Sequence, residues 1–256
     1  MAAVNDILNN LKELAPVNLK MDFDNVGLLT GFGSNEVKKI LVALDITDEV
    51  IEEAVNADAQ LIVSHHPLFF GLKNIVDSDN TGKKIIRLIQ NGISAICMHT
   101  NLDAAVGGVN TCLAKTVGIA EPLPMYDTEA GIGCYGELAA PMEFNEYLSF
   151  VKSALNSKGL RYVSGNKTVK RVAVVGGSGG GDLERAIELG CDTFITADLK
   201  YHQFLLAKES GVNLIDGDHF CTENVVVPAL AQRLSKCFPE IEVLISEKHS
   251  QTVCFF

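Results

Sequence analysis

The run Lys38-Lys39-Ile40-Leu41-Val42-Ala43-Leu44-Asp45 decides the fold, because the second half of the chain repeats it as Lys170-Arg171-Val172-Ala173-Val174-Val175. Each copy is a basic pair followed by a short apolar run, which reads as a strand. The first copy is followed by a helical pattern at 48–55, an apolar run at 60–63, a helix at 83–90 closed by Asn91-Gly92, and a third apolar run at 93–98. The second copy is followed by a helix at 182–188. Asp192-Thr193-Phe194-Ile195-Thr196 then answers residues 60–64, and Gly211-Val212-Asn213-Leu214-Ile215 answers residues 92–96. Short strands alternating with helices define an α/β fold. The matching order reads as an internal duplication, with lobe one at about 1–125 and lobe two at about 126–256, a period far longer than that of solenoid repeats. The alternative is that any α/β chain shows such alternation. Before the first strand, Val4, Ile7, Leu8, Leu11 and Leu14 have helical spacing and Pro16 follows them. The least regular stretch, 121–166, holds a strand near Cys134–Leu138 and a helix from Phe144 to Leu155. No low-complexity linker separates the halves, so 1–256 is expected to pack as a single unit.

Polar side chains gather where the strands end. Leu61-Ile62-Val63-Ser64 runs into His65-His66-Pro67, Ile93–Met98 runs into His99-Thr100-Asn101-Leu102-Asp103, and Val212–Ile215 runs into Asp216-Gly217-Asp218-His219 and then Glu223. Successive strand residues point to opposite faces, so His65 and His66 can meet one site only where the strand stops and twists. Pro67 supports such a stop. A pair of hydrogen-bonding histidines in a loop is the plainer reading of these two alone. Joined to Asp103, His219 and Glu223, they form the imidazole and carboxylate set that zinc, iron or manganese accepts. This set points to a metal site with more than one ion, in which Asp103 could bridge. Thr222 is placed to cap a helix bearing Val226, Leu230 and Leu234, with His219 in the entering loop and Glu223 in the first turn. His99 and His202 suit outer positions, either holding a ligand or acting as general acid and base. Asp45 and Asp198 are weaker candidates for the same outer shell. Cys221 reads as a buried structural thiol. Gly176-Gly177-Ser178-Gly179-Gly180-Gly181 completes no G-x-G-x-x-G frame and lacks a P-loop lysine. It reads as a tight strand-to-helix connection, with an anion cradle as the alternative. No Cys-His or Ser-His-Asp nucleophile is evident.

With 256 residues, 47% of them hydrophobic, the chain can bury a substantial core. A net charge of -11 argues against nucleic acid as a partner, though not against a nucleotide. The N-terminus lacks a signal-peptide pattern, and no apolar run reaches membrane-spanning length. Seven scattered cysteines with no C-x-x-C pair suit a reduced, cytoplasmic setting.

Taken in order, Asp24-Asn25-Val26-Gly27-Leu28, Ala43-Leu44-Asp45-Ile46-Thr47, Ser64-His65-His66-Pro67-Leu68, His99–Ala104, Gly176–Gly179, Asp198-Leu199-Lys200-Tyr201-His202 and Asp218–Glu223 resemble the Nif-three-like family, whose members carry the name GTP cyclohydrolase I type 2 homologues. The resemblance implies two intertwined α/β lobes with mixed, mostly parallel sheets. It also implies two divalent transition-metal ions per subunit on His65, His66, Asp103, His219 and Glu223, and a toroidal homohexamer with sites facing an internal cavity. The implied chemistry is hydrolytic opening of the GTP ring with release of formate, His99 or His202 moving protons. Some members carry an extra domain in the middle; the passage from Glu121 to Lys170 is too short for one. Asp218-His219-Phe220 stands where members often have Gly-His-Tyr. The competing class is a non-catalytic metal-binding or interaction scaffold.

Overall fold

The computed structural model describes residues 2–256. They form two compact units, residues 2–102 with 227–250 and residues 103–226 with 251–256. The first unit thus ends earlier than the boundary near residue 125 that the duplication suggested, and it takes back a later segment.

Unit one opens with β1 (Ala2–Ala3) and α1 (Val4–Leu14). The Asp6 carboxylate accepts the Ala3 amide at 2.8 Å, satisfying one of the donors a helix start leaves open. Val4, Ile7, Leu8 and Leu11 form the buried stripe of α1. Strands β2 (Gly27–Thr30), β3 (Glu36–Val37) and β4 (Lys39–Ala43) follow, then α2 (Asp48–Asn56), whose first turn is capped by the Thr47 hydroxyl. After β5 (Leu61–Ser64), helix α3 (Asn80–Gln90) starts three residues before the expected Lys83. Asp79 caps it by accepting the Gly82 amide at 2.7 Å, and the polar first turn carries no apolar residue to show its periodicity. Strand β6 (Ser94–Cys97) ends this run, and α4 (Thr100–Ala104) follows it.

Unit two contains α5 (Val109–Thr116), β7 (Leu123–Pro124), β8 (Cys134–Met142), α6 (Phe144–Ala154), β9 (Arg161–Val163) and β10 (Val169–Val174). It continues through α7 (Leu183–Glu188), β11 (Thr193–Thr196), α8 (Tyr201–Glu209), β12 (Asn213–Asp216) and α9 (His219–Glu223). The chain then re-enters unit one with α10 (Val226–Cys237) and β13 (Glu242–Ile245).

The sheet of unit one has the order β13-β4-β5-β6-β2, parallel except for β2. That of unit two has the order β7-β8-β10-β11-β12-β9, with β10, β11 and β12 parallel and the flanking strands antiparallel. Both sheets therefore contain a run of three parallel strands followed by an antiparallel neighbour, β4-β5-β6-β2 and β10-β11-β12-β9, and unit one adds β13 parallel to β4. The register repeats as well: Ile40, Leu61 and Ser94 form one row, and Val172, Thr193 and Asn213 form its counterpart. Even a hydrogen bond recurs. The Gln60 side chain accepts the amides of Lys38 and Lys39 at 2.9 and 3.0 Å, and the Asp192 carboxylate accepts those of Lys170 and Arg171 at 2.9 and 2.7 Å. Generic α/β alternation does not require that detail, whereas a duplication explains it.

Leu41, Ile51, Ile62 and Leu88 pack in one core cluster of unit one. In unit two Tyr147, Val151, Val172 and Ile195 pack on one another, and a second cluster holds Phe194, Leu183 and Leu214. Emptying such a site, as in Ile62→Ala, costs about 2–5 kcal/mol. These cores fix the strands whose ends carry the polar residues.

Candidate metal centre

In unit one, β5 stops at Ser64 and the chain turns at once. The Ser64 hydroxyl donates to the His66 carbonyl at 2.8 Å, while the His66 amide donates to the Leu44 carbonyl at 2.9 Å. This turn brings both imidazoles to one side. His65 is fully buried, and its Nδ1 lies 2.9 Å from the Met98 carbonyl. A carbonyl can only accept, so Nδ1 carries the proton and Nε2 the lone pair. The His66 Nδ1 lies 2.7 Å from Asp45 and the His99 Nδ1 2.8 Å from Asp24. One donor atom each from His65, His66 and His99 fall within 4.8 Å of one another.

Asp24 is the anchor of His99. Burial raises its pKa, but hydrogen bonds from His99, from the Thr100 hydroxyl at 2.5 Å and from the Thr100 amide at 2.9 Å more than offset this. Its carboxyl is held well below the usual carboxylate range, so it stays ionised and fixes the His99 ring.

In unit two, carboxylates gather beside another imidazole. His219 is not in a loop before a long helix: it opens its own short helix, α9, and Asp218 rather than Thr222 is the cap, accepting the Cys221 amide at 3.1 Å. Asp218 has φ +75, a left-handed conformation that favours glycine. Asp218 thus occupies a position where backbone geometry asks for glycine, and the cap offsets part of the strain. Thr222 instead sits inside α9, donates its hydroxyl to the helix carbonyls and accepts the Gly177 amide at 3.1 Å. Cys221 is structural: burial and the nearby Asp218 push its thiol up to about 12.

The His219 Nδ1 lies 2.8 Å from Asp198, and its Nε2 lies 3.0 Å from Glu223. Burial would lower the His219 pKa; Glu223 and Asp198 together push it up to about 9. Glu223 and Asp103 are both buried, with acidic oxygens within 4.8 Å of one another. The Asp103 backbone is held by Asn110, whose side chain donates to its carbonyl at 3.0 Å and accepts the Gly176 amide at 2.9 Å. The glycine loop explains the rest. Gly177 has φ +63, and a Cβ there would lie 2.1 Å from Glu223 Oε1 and 3.2 Å from the His219 ring. The amides of Gly176, Gly177 and Gly179 already serve Asn110, Thr222 and Thr196. The loop is therefore a close-packed wall for Glu223, and these three amides are not available to an anion.

The donor chemistry fits metal. All four imidazoles have Nδ1 on an oxygen acceptor, the arrangement that orients the other nitrogen toward an ion. Two buried carboxylates side by side repel unless a proton or cation lies between them. His202 stands apart, solvent-exposed in the first turn of α8 and in none of the convergent donor groups among the described residues. Asp45 and Asp198 hold His66 and His219, the outer role expected of them. Asp24, Asn110, Gly177 and Thr222 were not visible as site residues in the sequence. One signal was there to find: His99 and His219, each after the third strand of its repeat, are both followed four residues later by a carboxylate, Asp103 and Glu223.

A duplicated α/β chain with this donor set defines a recognised class, and residues 2–252 match the model of the Duf34/NIF3 (NGG1p interacting factor 3) family. The chain belongs to that family. It is 40% identical over 252 residues to a Clostridium perfringens protein called GTP cyclohydrolase 1 type 2 homolog, covering 96% of each chain. A Campylobacter jejuni protein of the same name is 33% identical, over 97% of this chain and 98% of the other. A Staphylococcus aureus hypothetical protein of known structure superposes with TM-score 0.90 at 32% identity, covering 99% of both chains. A Bacillus cereus protein related to NIF3 superposes at TM-score 0.94 and 23% identity, covering 100% of this chain and 99% of that one, which shows the shared fold.

Proposed function

We propose that His65, His66, Asp103, His219 and Glu223 together hold two divalent transition-metal ions per subunit, zinc, iron or manganese. On this reading the protein is a metal-dependent hydrolase of a nucleotide or related small molecule. The observation that carries the reading is the shared pinning of Nδ1 in His65, His66, His99 and His219, which turns each Nε2 toward the site; a cation there would take the place of the proton that His219 shares with Glu223. The name borne by the relatives, GTP cyclohydrolase 1 type 2 homolog, makes GTP ring hydrolysis with formate release the first reaction to test.

Bound ions supply Lewis acidity and ease the deprotonation of water. The chain's own part is proton management. Asp24 keeps the proton of His99 on Nδ1, so Nε2 can accept a proton from the attacking water and return it to the leaving group. His202 is the second candidate for this role. Family membership supports a closed homohexamer, which sedimentation or light scattering tests; a stable monomer at micromolar concentration contradicts it. Seven free thiols support a reduced, cytoplasmic setting, and among the described residues no helix is long and apolar enough to cross a membrane.

The decisive assay loads the full chain with zinc, manganese or iron and follows formate release from GTP, then hydrolysis of other nucleotides. Turnover that depends on metal supports the hydrolase. No turnover with any metal form favours a scaffold whose ions serve assembly or delivery.

A further inference from the structure

Unit two contains a half-open cleft of about 320 Å³ that begins at Asp103. That size suits a small molecule and not a polymer. Its walls are largely apolar and stiff: Pro122 and Pro124 line one part, and Val106, 90% exposed, stands at the lip. Polar groups converge from α5, where Thr111 and Lys115 are one helical turn apart and therefore share a face. The Thr111 oxygen accepts the Gly107 amide at 3.0 Å, and its hydroxyl proton faces the Cys134 thiol, a weak acceptor that an anion would have to displace. Lys115 is the sole cation of the lining, which also carries the carboxylates of Asp103 and Glu121, and among the described residues Lys115 forms no ion pair. The Cys134 thiol also lines the cleft, but burial pushes it up to about 11, so it is no nucleophile.

We infer that this cleft is the substrate compartment and that it takes a small organic anion, bearing one phosphate or carboxylate group bound by Lys115 and Thr111, with the reacting group presented at Asp103. The inference rests on the metal reading of Asp103. A cation held there and the Lys115 ammonium would both raise the local potential, which favours an anion although the chain as a whole carries -11.

Ligand-observed NMR on the full, metal-loaded protein tests this with GMP, ribose 5-phosphate and benzoate as probes and guanosine as the neutral control. Metal content is measured on every sample. At least one anion should bind in the millimolar range or tighter, and GMP better than guanosine if phosphate is the group read. Preference for benzoate would assign a carboxylate. Lys115→Glu should weaken the favoured anion at least tenfold, Lys115→Arg should restore much of it, and Ala120→Trp, which fills the cleft from an exposed position, should abolish it. All variants should keep their metal. Binding of none of the three anions, or binding unchanged in both Lys115→Glu and Ala120→Trp, overturns the inference. Lys115-dependent binding by a chain that holds no metal would instead preserve the cleft and remove the metal reading.

Discussion

Where the middle parallel strand ends, unit one presents Ser64-His65-His66 and unit two presents Thr196-Ala197-Asp198. After the next strand the two repeats agree more closely, each placing a histidine four residues before a carboxylate. The scaffold is thus the same, while the chemistry at one strand end has diverged. Unit one uses that position for two imidazoles. Unit two uses it for Asp198, which orients His219 at 2.8 Å. A duplicated sheet can in this way carry imidazoles at a strand end in one copy and, at the equivalent end of the other, a carboxylate that orients an imidazole of its own unit.

The comparison breaks most sharply at the two histidines proposed to move protons, His99 after the third strand of the repeat in unit one and His202 after the middle strand in unit two. His99→Ala should cut turnover, once an assay exists, by ~10²–10⁴-fold while leaving most metal bound, because it removes a proton carrier. His202→Ala, at an exposed helix start, should cost less. Equal losses would contradict the special place given to the Asp24–His99 pair. Next come the supports. Asp45→Asn and Asp198→Asn each disturb a carboxylate that holds a histidine Nδ1, and each should weaken metal binding by about 10–100-fold in a competition titration with a chelator. A large effect from one and none from the other would show that only one unit contributes ligands.

Two glycines sharpen the contrast further. Gly92 in unit one and Gly177 in unit two have φ of +67 and +63, yet a Cβ on Gly92 meets nothing within 4 Å and one on Gly177 meets Glu223. Both alanine variants bear the backbone strain of about 1–2 kcal/mol, read as a lower melting temperature. Only Gly177→Ala should also lose metal affinity. The smallest effect concerns acid. Asp24 titrates in the folded chain below its unfolded value of about 3.9. It therefore contributes stability that is present above about pH 4 and lost as pH falls through the folded value. The melting temperatures of the wild type and Asp24→Asn should differ most near pH 6–7 and converge at lower pH. A constant gap would show that Asp24 is not ionised in the fold.

The strands of the two repeats and the residues proposed as ligands stood out in the sequence, since apolar runs and the polar residues that end them are local signals, whereas β2, β3, β7 and β13 did not. What stayed hidden acts through space. Asp24 lies in a turn-rich loop 75 residues before His99, and no local pattern marks it as that ring's partner. Asn110 looks like any helical asparagine until its two hydrogen bonds, to the Asp103 carbonyl and from the Gly176 amide, are seen. The glycine loop was conspicuous but open to two readings, because composition cannot tell whether amides are spent internally. The helix start was misplaced at Thr222 because Asp218 and Thr222 are both good caps, and only the backbone decides between them.

Metal stoichiometry tests the central claim most directly. Elemental analysis of the full chain, purified without chelator, should find close to two transition-metal ions per subunit, and His65→Ala in one unit and Glu223→Ala in the other should each sharply reduce that number in folded protein. Absence of bound metal in the wild type after incubation with zinc, iron and manganese, or unchanged content in both variants, would contradict it.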